Sequence, residues 1–174
     1  MGMPTSFRVI GYVTGIIVKA VEEGVVYLLS LTSLTGEGFV VRLRRPPEWL
    51  VVGAPISGTL VKVDEYYQVQ DLTEAGNLKP ARPVEVESLE LTKVGKGDGV
   101  DFIATGSSGG VQISAPILST NIYKKAEKLR NSRCVLYVAD LPTGSKIVAV
   151  QTLGEYRRSM SLKRFLNMVS EYEE

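Results

Sequence analysis

The stretch LVVGAPISGTLVKVDEYYQV, from Leu50 to Val69, decides the fold expected for this chain. An apolar run broken by glycine leads into a run of alternating residues, which ends at the acidic pair Asp64 and Glu65 before a second alternating run begins. A period of two between apolar and polar residues predicts strands, and the acidic pair between the two runs predicts a loop tip. We therefore predict consecutive strands at Pro55–Val63 and Tyr66–Leu72.

Three further strand patterns precede this stretch. Runs rich in Val, Ile, Leu and Tyr predict strands at Phe7–Val18, Val25–Thr32 and Gly38–Arg44. Gly11 and Gly15 interrupt the first run, and glycine inside a strand commonly marks a bulge or a barrel corner. The segment RPPEWLVVGA between the third and fourth strands is too short and too rich in proline for a long helix. We predict that it forms one turn that plugs the end of a barrel.

The second half of the sequence repeats the order of the first. GVVYLLS (24–30) aligns with GVDFIAT (99–105), TGEGFVVRL (35–43) with SSGGVQISA (107–115), and YYQVQDL (66–72) with KIVAVQTL (146–153). The connection between the third and fourth strands is longer in the second half. There we expect Thr120 or Asn121 to cap a helix that carries Ile122, Ala126 and Leu129 on one face.

These patterns predict a mainly β protein with two tandem five-stranded barrels and a C-terminal amphipathic helix. We place the first barrel at 1–78, a linker at 79–84, the second barrel at 85–157 and the helix at 158–174. Ser159 or Ser161 is the expected cap of this helix, and its apolar residues recur at helical spacing: Leu162, Phe165, Leu166, Val169 and Tyr172. That stripe either packs against its own barrel or serves self-association or a protein partner.

Five strands, a glycine-broken first strand and a turn or helix between strands three and four form the order of the oligonucleotide/oligosaccharide-binding (OB) barrel. FRVIGYVTGIIVKAVEEGVVYLLSLTS (7–33) and EGFVVRLRRPPEWLVVGAPISGTLVKVDEYYQVQDL (37–72) resemble the OB domains of single-stranded DNA-binding proteins and replication protein A. The resemblance covers residues 7–74 well and 84–156 more loosely. It implies two OB-type barrels and a role in binding single-stranded nucleic acid.

Composition excludes most catalytic classes. The chain has no histidine and one cysteine, which removes most zinc sites and the nucleophile systems that depend on imidazole. We expect no enzyme activity, no catalytic residues, no metal and no cofactor. No apolar run approaches the length of a membrane span, so we expect a cytoplasmic protein without membrane contact. The net charge of +1 means that any attraction for nucleic acid rests on local clusters.

Single-strand binders combine cations that follow the phosphates with aromatic faces on which bases stack. In GFVVRLRR, the period of two places Phe39, Val41 and Leu43 inside the barrel and Arg42 and Arg44 outside. In YYQVQ it places Tyr66 and Gln68 outside. We expect Lys62 to share this outer surface, and Tyr12 as well if the glycine bulges do not reverse the phase of the first strand. The candidate nucleic-acid-binding residues are Tyr12, Arg42, Arg44, Arg45, Trp49, Lys62 and Tyr66. A structural role stays open for most of them: a solvated strand face for Arg42 and Arg44, a barrel plug for Trp49 and half-buried packing for Tyr12 and Tyr66.

Two further basic clusters occur later in the chain, in YKKAEKLRNSR (123–133) and at Arg157, Arg158, Lys163 and Arg164. The first is typical of a solvated helix face. We therefore expect a non-enzymatic protein of DNA replication or repair that binds single-stranded nucleic acid, with DNA preferred, mainly through its first barrel. The alternative is an OB-fold protein-interaction subunit that assembles a replication or repair complex.

Overall fold

The computed structural model describes residues 6–96 and 99–161. This part of the chain is mainly β, with strands alternating with short turns. The strands are β1 (Ser6–Val21), β2 (Gly24–Ser33), β3 (Gly38–Leu43), β4 (Pro55–Val63), β5 (Tyr66–Glu74), β6 (Arg82–Val86), β7 (Ser88–Lys96), β8 (Gly99–Ser108), β9 (Val111–Pro116), β10 (Cys134–Leu141) and β11 (Gly144–Thr152). The helices are α1 (Thr120–Glu127) and α2 (residues 153–161).

Strands β1 to β5 form a closed barrel in the order β1-β2-β3-β5-β4. The neighbouring strands are antiparallel except β3 and β5, which run parallel and pair at Val41 and Tyr67. The register of β1 against β2 shifts between Val13 and Gly15, so the predicted bulge is confirmed. At Gly11, a Cβ atom would collide with the carbonyl oxygen of Thr32. The paired strands β1 and β2 therefore approach each other so closely there that only glycine fits.

The barrel interior contains the residues that the alternation predicts. Phe39, Val41 and Leu43 all contact the apolar core of the barrel, whereas Val40 and Arg42 are exposed. The predicted plug is also confirmed, because Leu50 is buried in the same core and its N–H donates to the carbonyl of Pro47 at 3.0 Å. This hydrogen bond forms one turn at the end of the barrel.

The second half contains two three-stranded sheets, β11-β10-β6 and β7-β8-β9. Both sheets contribute to one apolar core, to which α1 adds Ile122, Tyr123 and Ala126. A parallel bridge joins Ile117, just after β9, to Ile147 in β11. A second closed five-stranded barrel is therefore not confirmed, although each segment of the sequence repeat lies mainly in a strand.

The two halves pack against each other through a third apolar cluster. Tyr12 and Val52 from the first half meet Ala81, Tyr137 and Val148. Backbone hydrogen bonds run through the same place, since the N–H of Ala81 donates to the carbonyl of Gly53 at 2.9 Å. Strand β6 begins inside the segment predicted as a linker, so this segment is structured in the described part of the chain.

Both helices differ from prediction at their N-termini. Ser119, rather than Thr120 or Asn121, caps α1 by accepting a hydrogen bond from the N–H of Ile122 at 3.3 Å. The C-terminal helix begins at residue 153, earlier than the predicted 158, and the stripe from Leu162 to Tyr172 lies outside the described residues. Neither helix described here is long and apolar enough to cross a membrane.

Candidate nucleic-acid interface

The outer surface of β3 and β5 carries three of the polar side chains that the sequence predicts to face outward. The pairing of Val41 with Tyr67 places Arg42 beside Gln68 and Val40 beside Tyr66 on this surface. Arg42 and Gln68 are exposed, and Tyr66 is half-buried. We call the surface formed by Arg42, Arg44, Tyr66 and Gln68 the arginine face.

The two arginines differ in their partners. Arg44 donates to the Glu23 carboxylate in the β1–β2 turn at 2.7 Å, and both side chains are about 70 % exposed, at 68 % and 71 %. An ion pair this exposed contributes about 0.2 to 1 kcal/mol, so a phosphate can displace the carboxylate. For Arg42, the described residues show no ion pair. Arg42 is therefore the better candidate of the pair for an anionic ligand.

Two predicted site residues do not lie on the arginine face. Lys62 pairs with Tyr67, whose ring points into the barrel, so Lys62 lies on the inner side of β4 at the exposed end of the barrel. The prediction that Lys62 shares the outer surface is wrong, because the alternation runs in phase with the fully buried Leu60.

Tyr12 points out of the barrel, as its position in β1 predicts, but the second half covers it. Its side chain is 0 % exposed, and its hydroxyl donates to the carbonyl of Lys79 at 2.9 Å. Burial, with a smaller effect of the Asp140 charge, raises the pKa of the Tyr12 phenol above its ordinary 10.0. The expected exposure of Tyr12 is wrong, and its ring is not available for stacking on a base.

Trp49 and Arg45 lie near the turn between β3 and β4. Trp49 is half-buried against the barrel core, which favours its structural role as part of the plug. Arg45 is exposed just after β3. Of the predicted aromatic residues, Tyr66 alone therefore combines an outward direction with a position beside the arginines.

A trough of about 750 Å³ opens between the outer face of β1–β3 and the second half of the chain. We call this cavity the trough. One wall is largely aliphatic and includes Ile17, Val18 and Val40. The opposite wall comes from α1, β11 and α2, and its polar side chains are Asn121, Lys125, Gln151, Glu155, Arg158 and Ser159.

An ion pair connects the two helices in the wall of the trough. Lys125 Nζ in α1 lies 2.9 Å from Glu155 Oε2 in α2. Glu155 also caps α2, because its carboxylate accepts from the N–H of Thr152 while the Thr152 hydroxyl accepts from the N–H of Glu155, both at 3.0 Å. Burial alone would raise the pKa of the Glu155 carboxyl, but the hydrogen bonds and charge of Lys125 and the hydrogen bonds of Thr152 outweigh it and lower the pKa.

Ser159 is fixed in the same wall by a chain of two side-chain hydrogen bonds. The Tyr137 hydroxyl donates to Gln151 Oε1 at 2.6 Å, and Gln151 Nε2 donates to the Ser159 hydroxyl at 3.0 Å. The side chain of Tyr137 also approaches Gly53 of the first half. The wall contributed by α2 is thereby tied to the junction between the halves.

Sequence reasoning identified Lys125 and Arg158 only as members of larger basic clusters. Their convergence on one trough depends on how α1 and α2 pack, and no local pattern encodes it. The capping box of α2 was visible as TLGE (152–155), a threonine followed three residues later by glutamate. Among residues 6–96 and 99–161, no group of three or more His, Cys, Asp or Glu side chains is placed to hold a metal ion.

The arginine face and the trough are the two surfaces on which a functional assignment rests. Comparison of the sequence with models of protein families and with curated proteins gave no match.

Proposed function

We propose that this protein binds single-stranded nucleic acid without catalysing a reaction, that DNA is its preferred strand, and that it acts in DNA replication or repair. The observation that carries the proposal is a closed barrel in the order β1-β2-β3-β5-β4 whose β2–β3 surface is accessible and bears Arg42. This strand order is that of the OB barrel, in which the surface of strands 2 and 3 takes oligonucleotides.

We propose further that the second half is an OB-type barrel that is opened along one seam. Strand β10 pairs with both β6 and β11, as β4 pairs with both β1 and β5. The parallel bridge between Ile117 and Ile147 lies where β3 and β5 run parallel in the first half. If β6 and β7 are counted as one first strand that is interrupted at Glu87, helix α1 occupies the position of the plug turn, between the third and fourth strands of its half.

The geometry favours phosphate contacts over extensive stacking. Tyr12 is buried and Trp49 packs on the core, so Tyr66 is the remaining candidate for stacking among the predicted residues. Arg42, together with Arg44 once Glu23 is displaced, supplies cations that do not depend on base identity. Binding should therefore show little sequence preference and a marked dependence on salt.

The test is fluorescence anisotropy of a labelled oligo(dT) titrated with protein over a range of salt concentrations. Each lost phosphate contact lowers the slope of log K against log salt by about 0.7 for a single strand. Arg42→Ala combined with Arg44→Ala should therefore weaken binding and flatten this slope. Arg133→Ala is a control for the loss of an exposed arginine elsewhere, because Arg133 lies in an exposed ion pair with Glu85 at 3.4 Å, as Arg44 does with Glu23.

Lack of binding by the wild-type protein at low salt would overturn the proposal. Equal losses for the arginine-face variant and for Arg133→Ala would overturn the assignment of the face. An RNA oligonucleotide and a duplex of the same length, used as competitors, test the preference for single-stranded DNA.

A second candidate function is that of an OB-fold protein-interaction subunit in a replication or repair complex. It is favoured by aliphatic side chains on the outer face of the first barrel, since Ile17 is 62 % and Val40 is 38 % exposed. Such a surface suits an apolar protein segment. Ile17→Ser should then weaken capture of a protein partner, and the wild type should bind oligo(dT) weakly or not at all, whereas the first proposal predicts oligo(dT) binding that depends on Arg42 and Arg44.

A further inference from the structure

The trough and the arginine face lie on one continuous surface. On the outer side of the barrel, Ile17 in β1 pairs with Leu28 in β2, and Leu28 pairs with Arg42 in β3. Paired residues of antiparallel strands point to the same side of a sheet. The row that ends at Arg42 on the arginine face therefore begins at Ile17, which lines the trough.

A second row brings the trough still closer to the arginine face. Gly15, Ser30 and Val40 pair across the same strands, and all three line the trough. Val40 and Arg42 are two residues apart on β3, a distance of about 7 Å along a strand. A single strand whose phosphate contacts Arg42 can therefore reach the trough with its next nucleotide, if it runs along β3 towards Val40.

The far wall of the trough carries cations from the second half. Of the basic residues in the two later clusters that the structure describes, those that line the trough are Lys125 and Arg158. Lys125 is paired with Glu155, whereas Arg158 is exposed and has no ion pair within residues 6–96 and 99–161. Their neighbours Lys124 and Arg157 are exposed as well but do not line the trough.

The walls of the trough therefore suit the two parts of a nucleotide. An aliphatic wall that includes Ile17 and Val40 offers a surface for apolar contact with bases. The opposite wall offers the guanidinium of Arg158 to phosphate and the Asn121 and Ser159 side chains as hydrogen-bonding groups. The halves touch where the Asn121 amide lies directly over Gly38, which bounds the trough near the start of β3.

We propose that the trough is the second segment of a composite groove, in which Lys125 and Arg158 of the second half contact phosphates of the strand whose neighbouring phosphates contact Arg42. This inference rests on the proposed function of the arginine face. It assigns nucleic-acid contacts to the second half and makes the packing of the halves part of the binding site.

The experiment compares cations that differ in placement and match in charge. Arg158→Ala and Arg157→Ala remove adjacent exposed arginines from the same helix, and Lys125→Ala and Lys124→Ala do the same for α1. The anisotropy of labelled oligo(dT) is measured with each full-length variant over a range of salt concentrations. The melting temperature of each variant confirms that the variant is folded. Loss of one phosphate contact should weaken binding about fivefold at low salt and lower the salt slope by about 0.7.

We expect these losses for Arg158→Ala and, to a smaller degree, for Lys125→Ala, because Glu155 already neutralises part of the lysine charge. Arg157→Ala and Lys124→Ala should bind as the wild type does. If the wild type binds and depends on Arg42, but Arg158→Ala matches Arg157→Ala, the composite groove is wrong and the proposed function stands. If the wild type does not bind oligo(dT), both proposals fail together.

Discussion

The first half closes its five strands into a ring, whereas the second half leaves two sheets that meet through the bridge between Ile117 and Ile147. The elements that cover the two cores differ in size. A single turn at Pro47–Leu50 covers the end of the closed barrel, whereas the helix α1 covers the core between the two open sheets. A closed ring retains its core with little cover, while an open pair of sheets needs a larger element to exclude water.

The outer faces of the two halves differ as well. The face of β1–β3 combines aliphatic side chains with Arg42, whereas the corresponding face of β7–β9 presents the hydroxyls of Thr105 and Ser114, which lie 3.1 Å apart. Glu90 pairs with Thr105 on that second face. The side chains of Thr105, Ser114 and Glu90 offer no cation to phosphate, so the two faces differ in charge at the place where the first carries Arg42.

Closure of the first barrel should depend on Gly11 more than on any other position tested below. Gly11→Ala places a methyl group against the backbone carbonyl of Thr32, which cannot rotate away, and we expect a loss of about 3 kcal/mol in the free energy of unfolding. Gly15→Ala is the matched control on the same strand. Its Cβ would lie 3.8 Å from Ser30 Cβ, so stability should change by less than about 1 kcal/mol. Urea unfolding measures both, and equal effects would refute the role of the close crossing.

The corresponding close contact in the second half involves a side chain instead of the backbone. A Cβ at Gly106 would lie 2.5 Å from Val86 Cγ1, and Val86 is fully buried. Gly106→Ala should therefore cost about 2 kcal/mol. Because Val86 causes the clash, the cost should shrink when Gly106→Ala is made together with Val86→Ala. A double-mutant cycle measures this coupling, and additive effects would show that another contact is responsible.

The stability of the second half should depend on Ser119, the N-terminal cap of α1. Ser119→Ala removes the acceptor for the N–H of Ile122, and the expected loss in the free energy of unfolding is about 1 kcal/mol. Ser132→Ala is a suitable control, since the Ser132 hydroxyl makes an exposed bond to the Arg130 carbonyl at 3.3 Å. If both variants unfold at the same urea concentration as the wild type, α1 does not limit the stability of the second half.

The smallest expected effect is that of Glu155 on the pH dependence of the free energy of unfolding. The pKa of Glu155 is lowered from 4.5 in the folded protein, so the unfolded chain takes up a proton first as the pH falls. The stabilisation by this carboxylate is therefore complete above about pH 4.5 and is lost progressively below it. Glu155→Gln retains a side chain that can cap α2 but does not titrate. The stability difference between wild type and Glu155→Gln should shrink below pH 4.5, and a constant difference would contradict the assignment.

The alternation of apolar and polar residues predicted well on which side of a strand each side chain lies, because successive side chains point to opposite sides. It placed Phe39, Val41 and Leu43 inside and Arg42 outside, and the structure agrees. It also placed Tyr12 outside the barrel, but local sequence carries no signal for the second half that covers this residue. The trough shows the same limit, since Lys125 and Arg158 meet only after α1 and α2 have packed.

Two errors had local causes. The outward prediction for Lys62 is wrong because the alternation from Leu60 puts this residue on the inner side of β4. The predicted start of the C-terminal helix, at Ser159 or Ser161, is too late because the capping box TLGE at 152–155 begins the helix earlier. Both patterns are present in the sequence: the alternation from Leu60 predicts the direction of Lys62, and the capping box predicts the start of the helix.

The burial of Cys134 gives the second half a chemical marker of its own. Cys134 is 0 % exposed in β10, opposite Val86, and burial raises the pKa of its thiol to about 11. A thiol reagent can therefore react only when the core of the second half opens. The only tryptophan, Trp49, packs on the core of the first half. Labelling of Cys134 and fluorescence of Trp49 can thus follow the two halves separately in one unmodified chain, and their rates would reveal whether the halves unfold together or in turn.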